Sequence, residues 1–125
     1  MPDQPEIICV VDDDAAVLKA LGRLLRSAGL QIMPFDNPRL LLEHAENHTI
    51  ALAIIDVWMP ELNGLEVQRL LHHMAPATPI IVMTGRDDPG MDRVAFAQGA
   101  RAFLTKPFAD AAFLEAIRTA LPTKH

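Results

Sequence analysis

The chain has 125 residues, of which 50% are hydrophobic and 22% charged, the balance of one globular core rather than of a disordered or fibrous segment. Sixteen Asp and Glu against eleven Lys and Arg leave a formal net charge of −5 with no basic run, which argues against direct nucleic-acid binding because phosphate neutralisation needs clustered cations. No apolar run approaches the ~18 residues of a membrane span, and residues 1–6 carry acid and proline where a signal peptide carries positive charge, so the chain reads as soluble and cytoplasmic.

The first apolar run, residues 7–11, is continuous rather than alternating, as expected of a parallel strand covered on both faces. Its Cys9 is the only cysteine, so no internal disulfide is available and the thiol reads as a small buried hydrophobe. Val17, Leu21, Leu24, Leu25 and Ala28 then line one stripe of a helix, with Lys19, Arg23 and Arg26 facing away and Gly29 placed to end it. A weaker run over residues 30–35 predicts a second strand. Asn37 and Pro38 supply a cap and a first-turn proline for a helix reaching about Glu46. Residues 50–55 predict the third strand, and Val67, Leu70, Leu71 and Met74 the third helix. Residues 80–83 follow as a strand, then Met91, Val94 and Ala95 as a short helix ahead of Gly99. Residues 102–104 form the last strand, and Asp110 is placed to cap a fifth helix carrying Leu114, Ile117 and Leu121. Five alternations of strand and helix predict a doubly wound α/β fold, a five-stranded parallel sheet flanked by five helices with right-handed crossovers. No linker or repeat interrupts residues 1–125, which read as a single domain.

In open parallel sheets, ligands bind outside the carboxyl ends of the strands, so the residues following each apolar run are the informative ones. The first run ends in Asp12-Asp13-Asp14, the third in Asp56, the fourth in Thr84-Gly85 and the last in Thr105-Lys106-Pro107. Carboxylates crowded on one edge repel one another, and a hard divalent cation relieves that repulsion. Mg²⁺ takes oxygen ligands at roughly 2.0–2.1 Å and keeps places for water and phosphate oxygens. Asp13 and Asp56 suit it, together with the backbone carbonyl of Trp58 and with Asp12 holding a bound water. A phosphoryl group entering this site would meet Mg²⁺, the Lys106 ammonium and the Thr84 hydroxyl, with Asp56 as nucleophile and acceptor.

The segments Val10-Val11-Asp12-Asp13-Asp14, Asp56-Val57-Trp58-Met59-Pro60 with Gly64, Met83-Thr84-Gly85 and Lys106-Pro107-Phe108 together resemble the receiver domains of response regulators in bacterial two-component systems. Within that family the chain is similar to nitrogen-fixation regulators, which carry a similar Lys-Pro-Phe ending. Four separated motifs in order make the resemblance specific, and it covers nearly the whole chain. It implies a flavodoxin-like fold of the receiver type and phosphorelay from a sensor histidine kinase to Asp56. It further implies an acidic pair in Asp12 and Asp13, a switch hydroxyl in Thr84, an aromatic switch in Phe103, and Lys106 followed by a cis peptide before Pro107. The fourth helix, last strand and fifth helix would then present a changed surface to an output domain, a downstream protein or a second copy, with Phe96, Arg101 and Phe113 near it.

Simpler roles stand beside these. Asp14 has the position of a helix cap. Phe103 reads equally as core or as switch, since a short-strand aromatic looks the same in either role. His44, His48, His72, His73 and His125 fall on polar helix faces or the tail and read as solvated. Asp87 and Asp88 read as surface charge. Trp58 and Arg86 are bulkier than is usual two residues after the acceptor and after the switch hydroxyl, and both suit shielding of an acyl phosphate, so slow self-dephosphorylation is expected and no other enzymatic activity. A haloacid-dehalogenase-like phosphatase also places Asp and Mg²⁺ at a strand end, but it needs an acid where Trp58 stands. A non-phosphorylated protein-binding receiver would not need the complete acid, hydroxyl and lysine set. No output domain follows Leu121, so the chain reads as a stand-alone receiver or as one cut from a longer regulator.

Overall fold

The computed structural model describes residues 6–121. Strands β1 (Ile7–Val11), β2 (Gln31–Phe35), β3 (Leu52–Asp56), β4 (Ile80–Thr84) and β5 (Ala102–Thr105) alternate with helices α1 (Ala15–Ser27), α2 (Pro38–Asn47), α3 (Gly64–Met74), α4 (Met91–Ala97) and α5 (Asp110–Ala120). All strands are parallel, in the order β2-β1-β3-β4-β5. The expected doubly wound sheet is borne out, and its order reverses at the β1/β3 junction, where such folds open a ligand crevice.

Each central strand buries both of its faces, which is why its sequence is apolar without alternation. Cys9, Val11, Ala53, Ile55 and Val82 pack toward Leu41, Val67, Leu71 and Ala95 of α2, α3 and α4. Their strand neighbours Ile8, Val10, Leu52, Ile54, Ile81 and Met83 pack the other way, against Leu21 and Leu25 of α1 and Phe113 and Ile117 of α5. Burial pushes the Cys9 thiol up to about 11, so it stays a neutral core group.

The helix ends follow local chemistry. Asp14 caps α1, its carboxylate accepting from the N–H groups of Ala16 and Val17 at 2.9 and 3.4 Å. At the other end Gly29 takes φ +81°, its N–H donates to Arg26 and that of Leu30 donates to Leu25, closing the helix in a Schellman turn. Asn37 caps α2 through the Arg39 N–H at 2.8 Å, with Pro38 in the first turn.

Several expectations fail for reasons of packing. Asp110 does not cap α5; the helix starts at that residue, and the cap is Ala109, with no side-chain bond. Phe113 is fully buried under the sheet and leaves the exposed surface assigned to it. On the short helix α4, Val94 is 45% exposed and Phe96 50%, so only Met91 and Ala95 face the core. Residues 50 and 51 precede β3 rather than belonging to it. His44 is only partly exposed, its ring 5.6 Å from Phe35 and stacked on His48 at 4.1 Å; burial, then the neighbouring His48, holds it below the usual imidazole range. His125 lies outside the described residues.

Candidate functional site

Register brings the site together. Val11 pairs with Ile55, so the next residues on these strands, Asp12 and Asp56, leave the sheet side by side. Asp56 pairs with Met83 and Thr84 with Thr105, and the Lys106 N–H donates to the Thr84 carbonyl at 2.7 Å. The Lys106 side chain therefore reaches back across the strand ends. Its Nζ lies 2.6 Å from Asp12 Oδ2 and 3.0 Å from Asp56 Oδ1. The Lys106–Pro107 peptide is cis.

Asp12 and Asp56 are 1% and 4% exposed, whereas Asp13 is open to solvent. One oxygen from each of the three lies within 4.8 Å of the other two, a separation that one cation can span, and an all-carboxylate donor set suits a hard divalent ion. These residues fit Mg²⁺. With Asp14, Trp58, Gly85, Arg86 and Lys106 they line a pocket of about 310 Å³ at the sheet's carboxyl edge. Burial, assisted by Asp12 and Asp13 and opposed by Lys106, raises the Asp56 carboxyl to about 6. Lys106 is held above its usual range because bonds to Asp12 and Asp56 outweigh its own desolvation. The pair thus keeps the ammonium charged without bringing Asp56 down: for the carboxyl, loss of water outweighs one partner.

Between its ordinary value of 3.8 and about 6, Asp56 binds more protons in the folded than in the unfolded chain, so its contribution to stability falls as pH rises through that window and stays low above it. Without divalent cations, Asp56→Asn is expected to raise stability near pH 7, by up to about 3 kcal/mol, and to lose that advantage as pH falls to 4. Urea unfolding of both proteins across this range checks it; an advantage independent of pH contradicts it.

Thr84 is fully buried at the end of β4. Its hydroxyl donates to the Arg86 carbonyl at 2.8 Å and accepts from the Arg86 N–H at 3.1 Å. Trp58 meets the same residue: its indole N–H donates to the Arg86 carbonyl at 2.8 Å, and the Arg86 guanidinium lies 3.9 Å from the ring centroid. Arg86 also approaches Asp88 at 3.6 Å, so that acid is ion-paired surface charge. Phe103 is half-buried against the α2–α3–α4 side of the sheet.

Two features escaped the sequence reading. The first is why position 64 is glycine: a Cβ there would lie 2.1 Å from the Asp56 carbonyl oxygen and 2.7 Å from Val57 Cα, and the Gly64 N–H donates to the Val57 carbonyl at 2.8 Å. The signal was present, since Gly64 belongs to the motif around Asp56, but its reason is a backbone contact. The second is an amide brace. Buried Gln68 on α3 donates to the Ala95 carbonyl at 2.8 Å and accepts from Gln98, which also donates to the Leu65 carbonyl at 3.0 Å. It ties the far end of α4 to α3.

A five-stranded parallel sheet with buried acids, a threonine and a lysine on its carboxyl edge defines a receiver of the two-component class, and the chain belongs to the response regulator receiver domain family, whose pattern matches residues 8–118. The resemblance read from the four motifs is borne out. Among its relatives, the response regulator protein TmoT of Ectopseudomonas mendocina is 44% identical over 97% of this chain and 55% of its own length. The transcriptional regulatory protein FixJ of Bradyrhizobium diazoefficiens is 35% identical over 91% and 56%. The solved beryllofluoride-activated NtrC4 receiver domain dimer superposes with a TM-score of 0.88 at 27% identity, covering 92% of this chain and 95% of that one. The chain spans about half the length of the curated relatives it matches. No described helix is long and apolar enough to cross a membrane.

Proposed function

We propose that Asp56 is the phosphoacceptor of this receiver, taking its phosphoryl group from a sensor histidine kinase. An Asp56 carboxylate oxygen forms the new O–P bond as the P–N bond to the kinase histidine breaks, leaving an acyl phosphate. The observation that carries this is the Lys106 ammonium within 3.0 Å of Asp56 and 2.6 Å of Asp12, a cation already placed where phosphoryl charge accumulates. Asp12, Asp13, Asp56 and the Trp58 carbonyl would hold Mg²⁺, which when bound supplies charge neutralisation and an anchor for phosphoryl oxygens. Lys106 orients the group from the other side. Labelling by acetyl phosphate, lost in Asp56→Asn, tests the assignment.

Phosphorylation adds roughly −1.5 to −2 charges and new acceptor oxygens at one point. Thr84 then exchanges its Arg86 partner for a phosphoryl oxygen, and Phe103 turns inward behind it. The surface of α4, β5 and α5 changes with them. Val94 and Phe96, half-exposed on α4, and exposed Arg101 offer that surface an apolar patch with a charged margin. It serves an output domain, a downstream protein or a second copy. FixJ is by name a transcriptional regulatory protein, and the NtrC4 receiver is described as a dimer. In this reading residues 1–125 act as one receiver unit in the cytoplasm, with self-dephosphorylation slowed by Trp58 and Arg86 as their only further chemistry.

Trp58 provides an assay for the metal. As the only tryptophan, on the wall of the acidic pocket, it is expected to change emission as Mg²⁺ is added over the millimolar range. A flat titration contradicts the metal assignment.

A further inference from the structure

We propose that Trp58 is a latch on the switch: it holds the Arg86 backbone in the arrangement that keeps the Thr84 hydroxyl occupied, and so biases the receiver toward its resting state. The inference rests on the phosphoacceptor reading of Asp56.

Thr84 is bonded twice to Arg86, through the carbonyl at 2.8 Å and the N–H at 3.1 Å, so residues 84–86 close on themselves as a small ring. The hydroxyl has one proton, and in this state the Arg86 carbonyl takes it. To donate to a phosphoryl oxygen, Thr84 must give up that carbonyl, and the ring opens. Thr84 itself sits at the end of a buried strand and its carbonyl accepts from Lys106, which leaves Gly85 and Arg86 as the parts free to move. Gly85 meets no obstacle, with open space where a Cβ would stand.

What opposes the opening comes from 28 residues earlier in the chain. The Trp58 indole N–H donates to the same carbonyl at 2.8 Å, and the Arg86 guanidinium lies on the indole face at 3.9 Å. One residue is gripped at its backbone and at its side chain by one ring. Trp58 lies two positions after Asp56, on the segment pinned by the bonds from Val57 to Met83 and from Gly64 to Val57, so the grip is anchored in the sheet. Trp58 is thus a positioning residue that acts on the phosphoryl site through Thr84. A contact present in only one of two states shifts their balance by its own free energy, and a competent state populated only in part weakens apparent ligand affinity by that fraction.

The test is calorimetric titration with beryllofluoride, which takes the place of a phosphoryl group on a carboxylate, at saturating Mg²⁺. Trp58→Phe keeps the ring and removes the donor; with one hydrogen bond worth about 1 kcal/mol, it is expected to bind beryllofluoride about five-fold more tightly. Arg86→Gln keeps the carbonyl and removes the cation, with an expected gain of about two-fold. In a Thr84→Val background, where no hydroxyl is left to release, Trp58→Phe is expected to change affinity by less than about two-fold, since the coupling partner is gone. Unchanged or weaker binding by both single variants overturns the latch, as does an equal gain with Thr84 replaced. Absence of binding to the unsubstituted chain overturns the Asp56 reading and the latch with it.

Discussion

Asp56→Asn is expected to take up no label from acetyl phosphate under conditions that label the unsubstituted chain to one phosphoryl group per molecule. Asn keeps the size and planarity of the side chain but has no anionic oxygen to attack phosphorus. The neighbouring acids do not replace it. Asp12 is bound both by Lys106 and by the Asp14 N–H, and Asp13 is solvent-exposed and stands outside the Lys106 ion pairs, which join Asp12 and Asp56. Intact mass after incubation with acetyl phosphate and Mg²⁺ reads the outcome directly. Stoichiometric labelling of Asp56→Asn would remove the phosphoacceptor assignment. Once donor is withdrawn, the label on the unsubstituted chain is expected to persist longer than on Trp58→Asn, because the indole and the Arg86 guanidinium cover one wall of the pocket.

The second large effect is structural. Gly64→Ala is expected to destabilise the fold by about 2–4 kcal/mol, at the upper end of overpacking costs. The added Cβ would sit 2.1 Å from the Asp56 carbonyl oxygen and 2.7 Å from Val57 Cα, and neither backbone atom can turn aside as a flexible side chain can. The strain falls on the segment that carries Asp56 and Trp58, so acetyl phosphate labelling should slow as well. Gly85→Ala is the matched comparison: nothing lies within 4 Å of its Cβ position, and its effect is expected to stay within about 0.5 kcal/mol. Thermal unfolding of the two variants decides the point. A Gly64→Ala protein as stable as the original would show that the loop after Asp56 relaxes freely.

The elements were legible because their causes are local. A strand buried on both faces must be apolar at every position, so Ile8 to Val11 and Ile80 to Met83 announce themselves. Asn37-Pro38 and Gly29 act within one turn of where they stand. Errors came where sequence period underdetermines packing. In seven-residue α4 no full apolar stripe exists, so Val94 could not be assigned a side from spacing, and it faces solvent. Phe113 belongs to a helix at the proposed output surface, yet α5 turns this side chain fully under the sheet.

The alternating α/β order, the four motifs that mark a receiver and the polar residues that terminate the buried strands can all be read from the residues in line. Those follow from backbone hydrogen bonding and from the exclusion of charge from a two-sided core. That Lys106 bridges Asp12 and Asp56, that Gly64 must lack a side chain, and that Trp58 and Thr84 share one carbonyl of Arg86 emerge from the folded chain alone. Each of these depends on the register of parallel strands and on side-chain directions between residues far apart in the chain. Periodicity records which side of an element is apolar; it carries no information about which distant group that side will meet.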